Sequence, residues 1–263
     1  MKKLLIFVLV ISGVFITGCE KEDSDLNSLE KVLESGQLIL GLDDTFAPMG
    51  FRDEDGNVVG FDIDLAKAVA IELGVELIIQ PIEWDSKVLE LNAGNIDMIW
   101  NGLTITEERL ETINFSQPYL NNRQIVLTKS GISILTVNDL SGLKVGVQID
   151  SSGQYALESN SIFNSISEEV KFNNFTEALL DLESGRIDAI IIDEIMARYV
   201  VSQSTYDVIV TNVSLGDEEY GIGFRLGDDE LRSRIDEILN ALAETGVTAN
   251  ISNTWFGEDI FRK

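Results

Sequence analysis

The chain carries one nine-residue pattern twice. Leu91-Asn92-Ala93-Gly94-Asn95-Ile96-Asp97-Met98-Ile99 and Leu182-Glu183-Ser184-Gly185-Arg186-Ile187-Asp188-Ala189-Ile190 both read L-x-x-G-x-I-D-x-I, 91 residues apart. Each reads as a helix ending at a glycine C′ position and running at once into a buried strand. A second pair keeps the same order. Leu38-Ile39-Leu40-Gly41-Leu42-Asp43 and Leu143-Lys144-Val145-Gly146-Val147-Gln148 are strands with glycine at matching points, 105 residues apart. Phe61 to Leu73 is the clearest helix, with Leu65, Val69 and Leu73 spaced four apart. A period near one hundred residues excludes a tandem solenoid and points to two α/β lobes.

That organisation gives the strand ends a meaning. In open α/β sheets, ligands sit beyond the carboxyl ends of strands. Asp43, Asn101, Gln148 and Asp193 all fall there, two from each lobe, as polar residues around one small polar ligand would. Asn101 and Gly102 break the strand ending near Trp100, and Thr106 caps a helix that opens Glu107-Glu108-Arg109. The first turn of a helix favours acidic residues, so Arg109 is electrostatically out of place there. Its planar fork at a strand-to-helix junction suits a carboxylate.

The first 18 residues read as a processing signal. Lys2 and Lys3 precede an apolar run, Leu4 to Ile16, too short to span a bilayer comfortably, and Thr17-Gly18-Cys19 follows. Cys19 is the single cysteine and stands at the cut point, as in bacterial lipoprotein signals, where the cysteine becomes the lipidated first residue. Residues 19–28 then form a polar tether. With no other cysteine and no histidine, the chain lacks thiol chemistry, disulfides, the usual general base and most transition-metal sites. Removal of the signal leaves 17 basic against 45 acidic residues, a net charge of −28. Such a surface repels nucleic acid phosphates and reads as a solvated exterior. Asp53-Glu54-Asp55-Gly56-Asn57 lacks the spacing of a calcium loop and reads as a hairpin turn.

Further segments carry a resemblance. Gly41-Leu42-Asp43-Asp44-Thr45-Phe46-Ala47-Pro48, Gly60-Phe61-Asp62-Ile63-Asp64-Leu65, Thr104 to Arg109 and Phe115-Ser116-Gln117-Pro118-Tyr119 come first. Val145-Gly146-Val147-Gln148, Gly185-Arg186-Ile187-Asp188, Tyr220-Gly221-Ile222-Gly223 and Trp255-Phe256-Gly257 follow. In this order and spacing the chain resembles the solute-binding lipoproteins of bacterial polar amino-acid ABC importers. The resemblance implies an α/β fold of the two-lobed type II periplasmic binding protein kind, each lobe a mainly parallel sheet flanked by helices, with a two-strand hinge. It places lobe 1 at 29–122 and 219–263, the latter opening on the return strand, and lobe 2 at 123–218. The hinge strands would lie near Arg123 to Thr128 and Glu219 to Arg225.

By position, the resemblance makes Arg109 the clamp for a ligand α-carboxylate, with Thr104 adding a hydroxyl and Gly102 a carbonyl facing the α-ammonium. Ser151 and Ser152 would add second-lobe donors, although Asp150 stands where the family commonly has glycine. Asp193 would pair with the ammonium; its alternative reading is an ordinary helix N-cap. Phe46 and Trp84 would flank the ligand side chain, with Asp43 at the far end suiting a cationic or amide group. Asp44 reads as a solvated loop residue, and Tyr119 and Tyr220 as hinge packing.

The expected protein is therefore a lipid-anchored, extracytoplasmic monomer. It would capture an L-amino acid, deliver it to a membrane permease, and need no cofactor or metal. Arginine, lysine, histidine, ornithine, glutamine and cystine all remain open. The rival readings are a dehydratase acting on a small carboxylate through Asp193 or Glu219, and a ligand-sensing partner of a membrane receptor.

Overall fold

The computed structural model describes residues 26–203 and 206–262; the signal segment, Cys19 and most of the expected tether lie outside the described residues. The elements run α1 (Ser28–Ser35), β1 (Gln37–Leu42), β2 (Thr45–Phe46), β3 (Gly50–Arg52), β4 (Val58–Val59), α2 (Phe61–Leu73), β5 (Glu76–Pro81), α3 (Lys87–Asn92), β6 (Met98–Ile99), α4 (Glu107–Leu110), β7 (Ile113–Phe115) and β8 (Leu120–Lys129). They continue β9 (Lys144–Gln148), α5 (Ser152–Ser159), β10 (Glu168–Phe172), α6 (Phe175–Ser184), β11 (Ala189–Asp193), α7 (Glu194–Ser202), β12 (Val208–Tyr220), β13 (Gly223–Arg225), α8 (Asp229–Glu244) and α9 (Val247–Phe256).

Two five-stranded sheets share one plan. The first is ordered β5-β1-β6-β13-β7 and the second β10-β9-β11-β8-β12. In each, four strands point the same way and one, β13 or β8, runs against them. That reversed strand is the one that enters directly from the other sheet. The chain therefore crosses between lobes twice, and β8 and β12 pair antiparallel from Leu120↔Tyr220 to Gln124↔Gly216 alongside the crossings.

The repeated pattern is a lock between strands, made the same way in both sheets. A Cβ on Gly41 would lie 2.4 Å from Ile96 Cδ1, and one on Gly146 2.6 Å from Ile187 Cδ1, so each glycine makes room for the isoleucine of I-D. The aspartate beside that isoleucine accepts a backbone N–H of the neighbouring strand, β1 or β9: Ile39 to Asp97 at 2.9 Å and Lys144 to Asp188 at 2.8 Å. Satisfying those donors by side chains joins each new strand to its sheet before regular pairing begins.

The helices then bury these sheets. Leu38, Leu40 and Leu42 of β1 share a core with Leu65, Ala66 and Val69 of α2, all fully buried. Each such leucine or valine side chain contributes about 1.5–3 kcal/mol of transfer free energy. The acidic loop at Asp53 is the turn between β3 and β4, with Gly56 at φ 84°. The strand ends of both sheets are left facing one cleft.

Candidate functional site

The cleft encloses a cavity of about 10 Å³, room for little more than one water as the lobes stand. Asp43, Phe46, Trp84, Asn101, Gly102, Thr104 and Arg109 line it from the first lobe; Gln148, Ser151, Ser152 and Asp193 line it from the second. The structure thus brings together all eleven residues singled out in the sequence.

Arg109 is placed by α4. Thr106 caps that helix by accepting the Arg109 N–H at 3.1 Å. The guanidinium donates to the Thr104 carbonyl at 2.9 Å and, across the cleft, to the Asp150 carbonyl at 3.0 Å. Burial pulls its pKa down, and the carboxylates of Asp150, Glu218 and Asp193 work the other way. Gly102, at φ 57°, donates its N–H to Asp62 Oδ2 at 2.7 Å. A Cβ there would sit 2.8 Å from Phe46 Cε1 and 3.0 Å from Tyr220 Cε2, so the turn needs glycine on both counts. Asp62 is wholly buried, accepts Tyr119 Oη at 3.0 Å, and is pushed up by that burial to about 7.

At the other end, Asp43 Oδ1 accepts both the N–H and the hydroxyl of Thr45, and Oδ2 accepts Gln148 Nε2 at 2.7 Å from the opposite lobe. Burial raises the Asp43 pKa against those bonds. Asn101 Oδ1 accepts the Asp43 N–H at 3.1 Å. Phe46 and Trp84 supply the aromatic lining, and the Phe46 ring lies 6.0 Å from that of Phe175 in the second lobe.

Thr104 donates to Ser152 Oγ at 3.0 Å, a further contact between lobes. Ser151 faces the cavity, yet its hydroxyl serves the backbone: it caps α5 by accepting Gln154 N–H and donates to Gln148 O at 2.8 Å. Asp193 stands at the N-cap position of α7 but makes no capping bond. Its Oδ1 instead accepts Asn122 Nδ2 at 2.7 Å and Tyr220 Oη at 2.6 Å. The N-cap alternative is therefore set aside by geometry, and Tyr220 does more than pack the hinge.

The hinge strands supply groups that sequence reasoning missed. Asn122 Nδ2 also donates to Glu218 Oε1, at 2.5 Å, and Gln124 Nε2 reaches the same oxygen at 2.8 Å. One amide thus bridges two carboxylates, on β11 and β12, either side of β8. Burial first and Glu218 second push the Asp193 carboxyl up to about 8. The signal for these groups was the alternation Asn122-x-Gln124 and Glu218-x-Tyr220, which puts each pair on one face of its strand.

Two sheets of this shape, exchanging strands around a cleft that ends in Arg109 on one side and Asp193 on the other, define a two-lobed binding protein of the type II periplasmic kind. The chain belongs to the bacterial extracellular solute-binding proteins, family 3, whose model matches residues 38–258. It is 31% identical over 255 residues to the L-cystine-binding protein TcyJ of Escherichia coli (strain K12), covering 96% of this chain and 93% of that one. An ABC uptake transporter substrate binding protein from Streptococcus pneumoniae, solved with bound histidine, superposes with a TM-score of 0.87 at 39% identity, covering 90% of this chain and 99% of that one. The arginine-bound form of truncated ArgBP from T. maritima gives 0.76 at 38% identity, covering 81% and 99%.

Proposed function

We propose that the protein captures a polar L-amino acid between its lobes and presents it to the permease of an ABC importer. The observation that carries this reading is the placement of a buried arginine and a buried aspartate, one from each lobe, on the same small cavity. Arg109 takes the α-carboxylate, with Ser152 and Thr104 beside it. Asp193 takes the α-ammonium. Phe46 and Trp84 sandwich the side chain, and Asp43 and Gln148 read its far end. An acidic far end favours a cationic side chain such as arginine or histidine, and relatives that bind those amino acids support the choice.

Binding starts on one lobe and is completed by closure, because only the closed arrangement lets both charges act on one ligand. The domain assignment that goes with this motion is 29–122 and 219–263 for one lobe and 123–218 for the other. Cys19 anchors the mature protein to the extracytoplasmic face of the membrane. The matched relatives are binding proteins, which supports a receptor role over a catalytic one.

A thermal-shift panel of the common amino acids tests the reading. A true ligand at 100 times its Kd stabilises by about 2.7 kcal/mol. Arginine or histidine should give the largest rise in Tm, and a panel in which no amino acid raises Tm overturns the assignment.

A further inference from the structure

Asp150 is the one non-glycine residue with a positive φ, at 56°, among the described residues. Left-handed backbone is unfavourable for an L-residue and cheap for glycine, so the side chain at this position must return something. It reaches across the cleft to Lys87, a lysine whose side chain is only 1% exposed. Lys87 lies at the start of α3 in the first lobe, and Asp150 in the loop between β9 and α5 in the second.

All three ammonium donors of Lys87 are used. They go to Trp84 O at 3.0 Å, Asp150 O at 3.1 Å and the Asp150 carboxylate Oδ2. Tyr155 Oη donates to the other carboxylate oxygen at 2.6 Å, and Gln154 Oε1 accepts the Asp150 N–H at 2.8 Å, so the loop is held from both sides. The Asp150 carbonyl also accepts Arg109 Nη2. The lobes thus bury two cations, Lys87 and Arg109; burial first and Arg109 second pull the Lys87 pKa down to about 8. The Asp150 carboxylate is the protein's own counter-charge to that pair. Neither Lys87 nor Asp150 lines the cavity, so their contact does not depend on which solute is held.

We propose that Lys87 and Asp150 form a latch between the lobes that favours the closed arrangement and slows release of the bound solute. It rests on the lobe-closing reading above and adds to it a pair that sets residence time rather than selectivity. Parting the lobes would take both Asp150 acceptors away from Lys87 and leave it only Trp84 O, so the ion pair acts only on closure. A buried, hydrogen-bonded pair that forms in one of two states biases the equilibrium between them.

The test uses Asp150→Asn, Lys87→Met and the double variant. Asparagine keeps the tolerance for left-handed backbone and removes only the charge; methionine keeps the apolar stem. Stopped-flow fluorescence with L-arginine and L-histidine as probes should show release at least tenfold faster in each single variant. Association should stay within about threefold, as expected when mutations act mainly on dissociation. The double variant should be no faster than the quicker single one. Release within twofold of the parent, or single effects that multiply in the double variant, overturns the latch. A ligand-independent arm uses spin labels at Ile71 on α2 and Leu180 on α6, both exposed, in a Cys19→Ser background. Each latch variant should shift the inter-lobe distance distribution to longer values, and an unchanged distribution overturns the proposal. If neither probe binds the parent protein, the functional reading fails, while the spin-label distances still decide the latch.

Discussion

Ligand affinity should rise steeply with pH below 8, because of Asp193. Its carboxyl is pushed up to about 8 by burial and by Glu218 across Asn122. A ligand ammonium pairs only with the ionised form. Each pH unit below that pKa therefore costs about 1.4 kcal/mol to ionise the group before it can bind. Affinity for L-arginine should therefore fall as the pH drops from 8 to 6, by up to about tenfold per pH unit to the extent that the ligand-free protein keeps Asp193 buried. The sign follows from linkage: binding the ammonium expels a proton, so raising the pH favours the complex. Isothermal titration calorimetry from pH 5.5 to 8.5, in buffers of different ionisation enthalpy, reads both quantities. Close to one proton should leave per ligand at pH 6.5, and Asp193→Asn should bind weakly with no such release. A flat affinity profile in the parent protein, with no proton released, would rule out a buried neutral Asp193 as the ammonium's partner.

The same burial argument applies at Asp62, with stability as the readout. Its folded pKa of about 7 lies above the unfolded value, so its neutral form stabilises the fold at acid pH and that contribution is lost as pH rises from about 4 to 7. Asp62→Asn should remove up to about 4 kcal/mol of that pH dependence. The Tm of the variant relative to the parent should then climb between pH 4.5 and 8, and a constant difference would count against a buried neutral acid. Gly102→Ala tests the turn before Thr104: left-handed backbone costs about 1–2 kcal/mol, and the new methyl meets Phe46 and Tyr220. Unfolding should come at lower denaturant and affinity should drop at least tenfold; parent-like binding would show that the Phe46 wall is not set by this turn.

Much of the fold was legible because the repeat is physical. The glycine of β1 or β9 and the isoleucine of each I-D touch, and the aspartate ties down the same strand, so spacing in the chain reports a contact in space. The strand-end residues were legible for a related reason: a polar group just past a buried strand has few places to go except the cleft. Lys87, Asp150 and Glu218 were not legible as site groups. Lys87 meets Asp150 across 63 residues and Asn122 meets Glu218 across 96, through contacts that exist only once both sheets are built. A lysine at a helix start and a glutamate in an acidic strand look like solvated surface until the opposite lobe covers them. Asp150 was visible as a departure from the family pattern, and its backbone shows why: it keeps the left-handed turn of a glycine and adds a charge.

In the proposed reading, splitting the charges between lobes couples binding to closure without a separate sensor. The structure buries both Arg109 and Asp193, and parting the lobes would let water reach them. Closure removes that water, and a buried charge without a partner costs several kcal/mol. Asp193 answers by holding a proton, and Arg109 by donating to the carbonyls of Thr104 and Asp150. A zwitterion changes both terms at once, giving a carboxylate to one lobe and an ammonium to the other. Closure then gains two charge-assisted pairs for the desolvation it already requires. A neutral analogue lacking either end would leave one of the two buried charges uncompensated, so its loss of affinity should track closure rather than first contact.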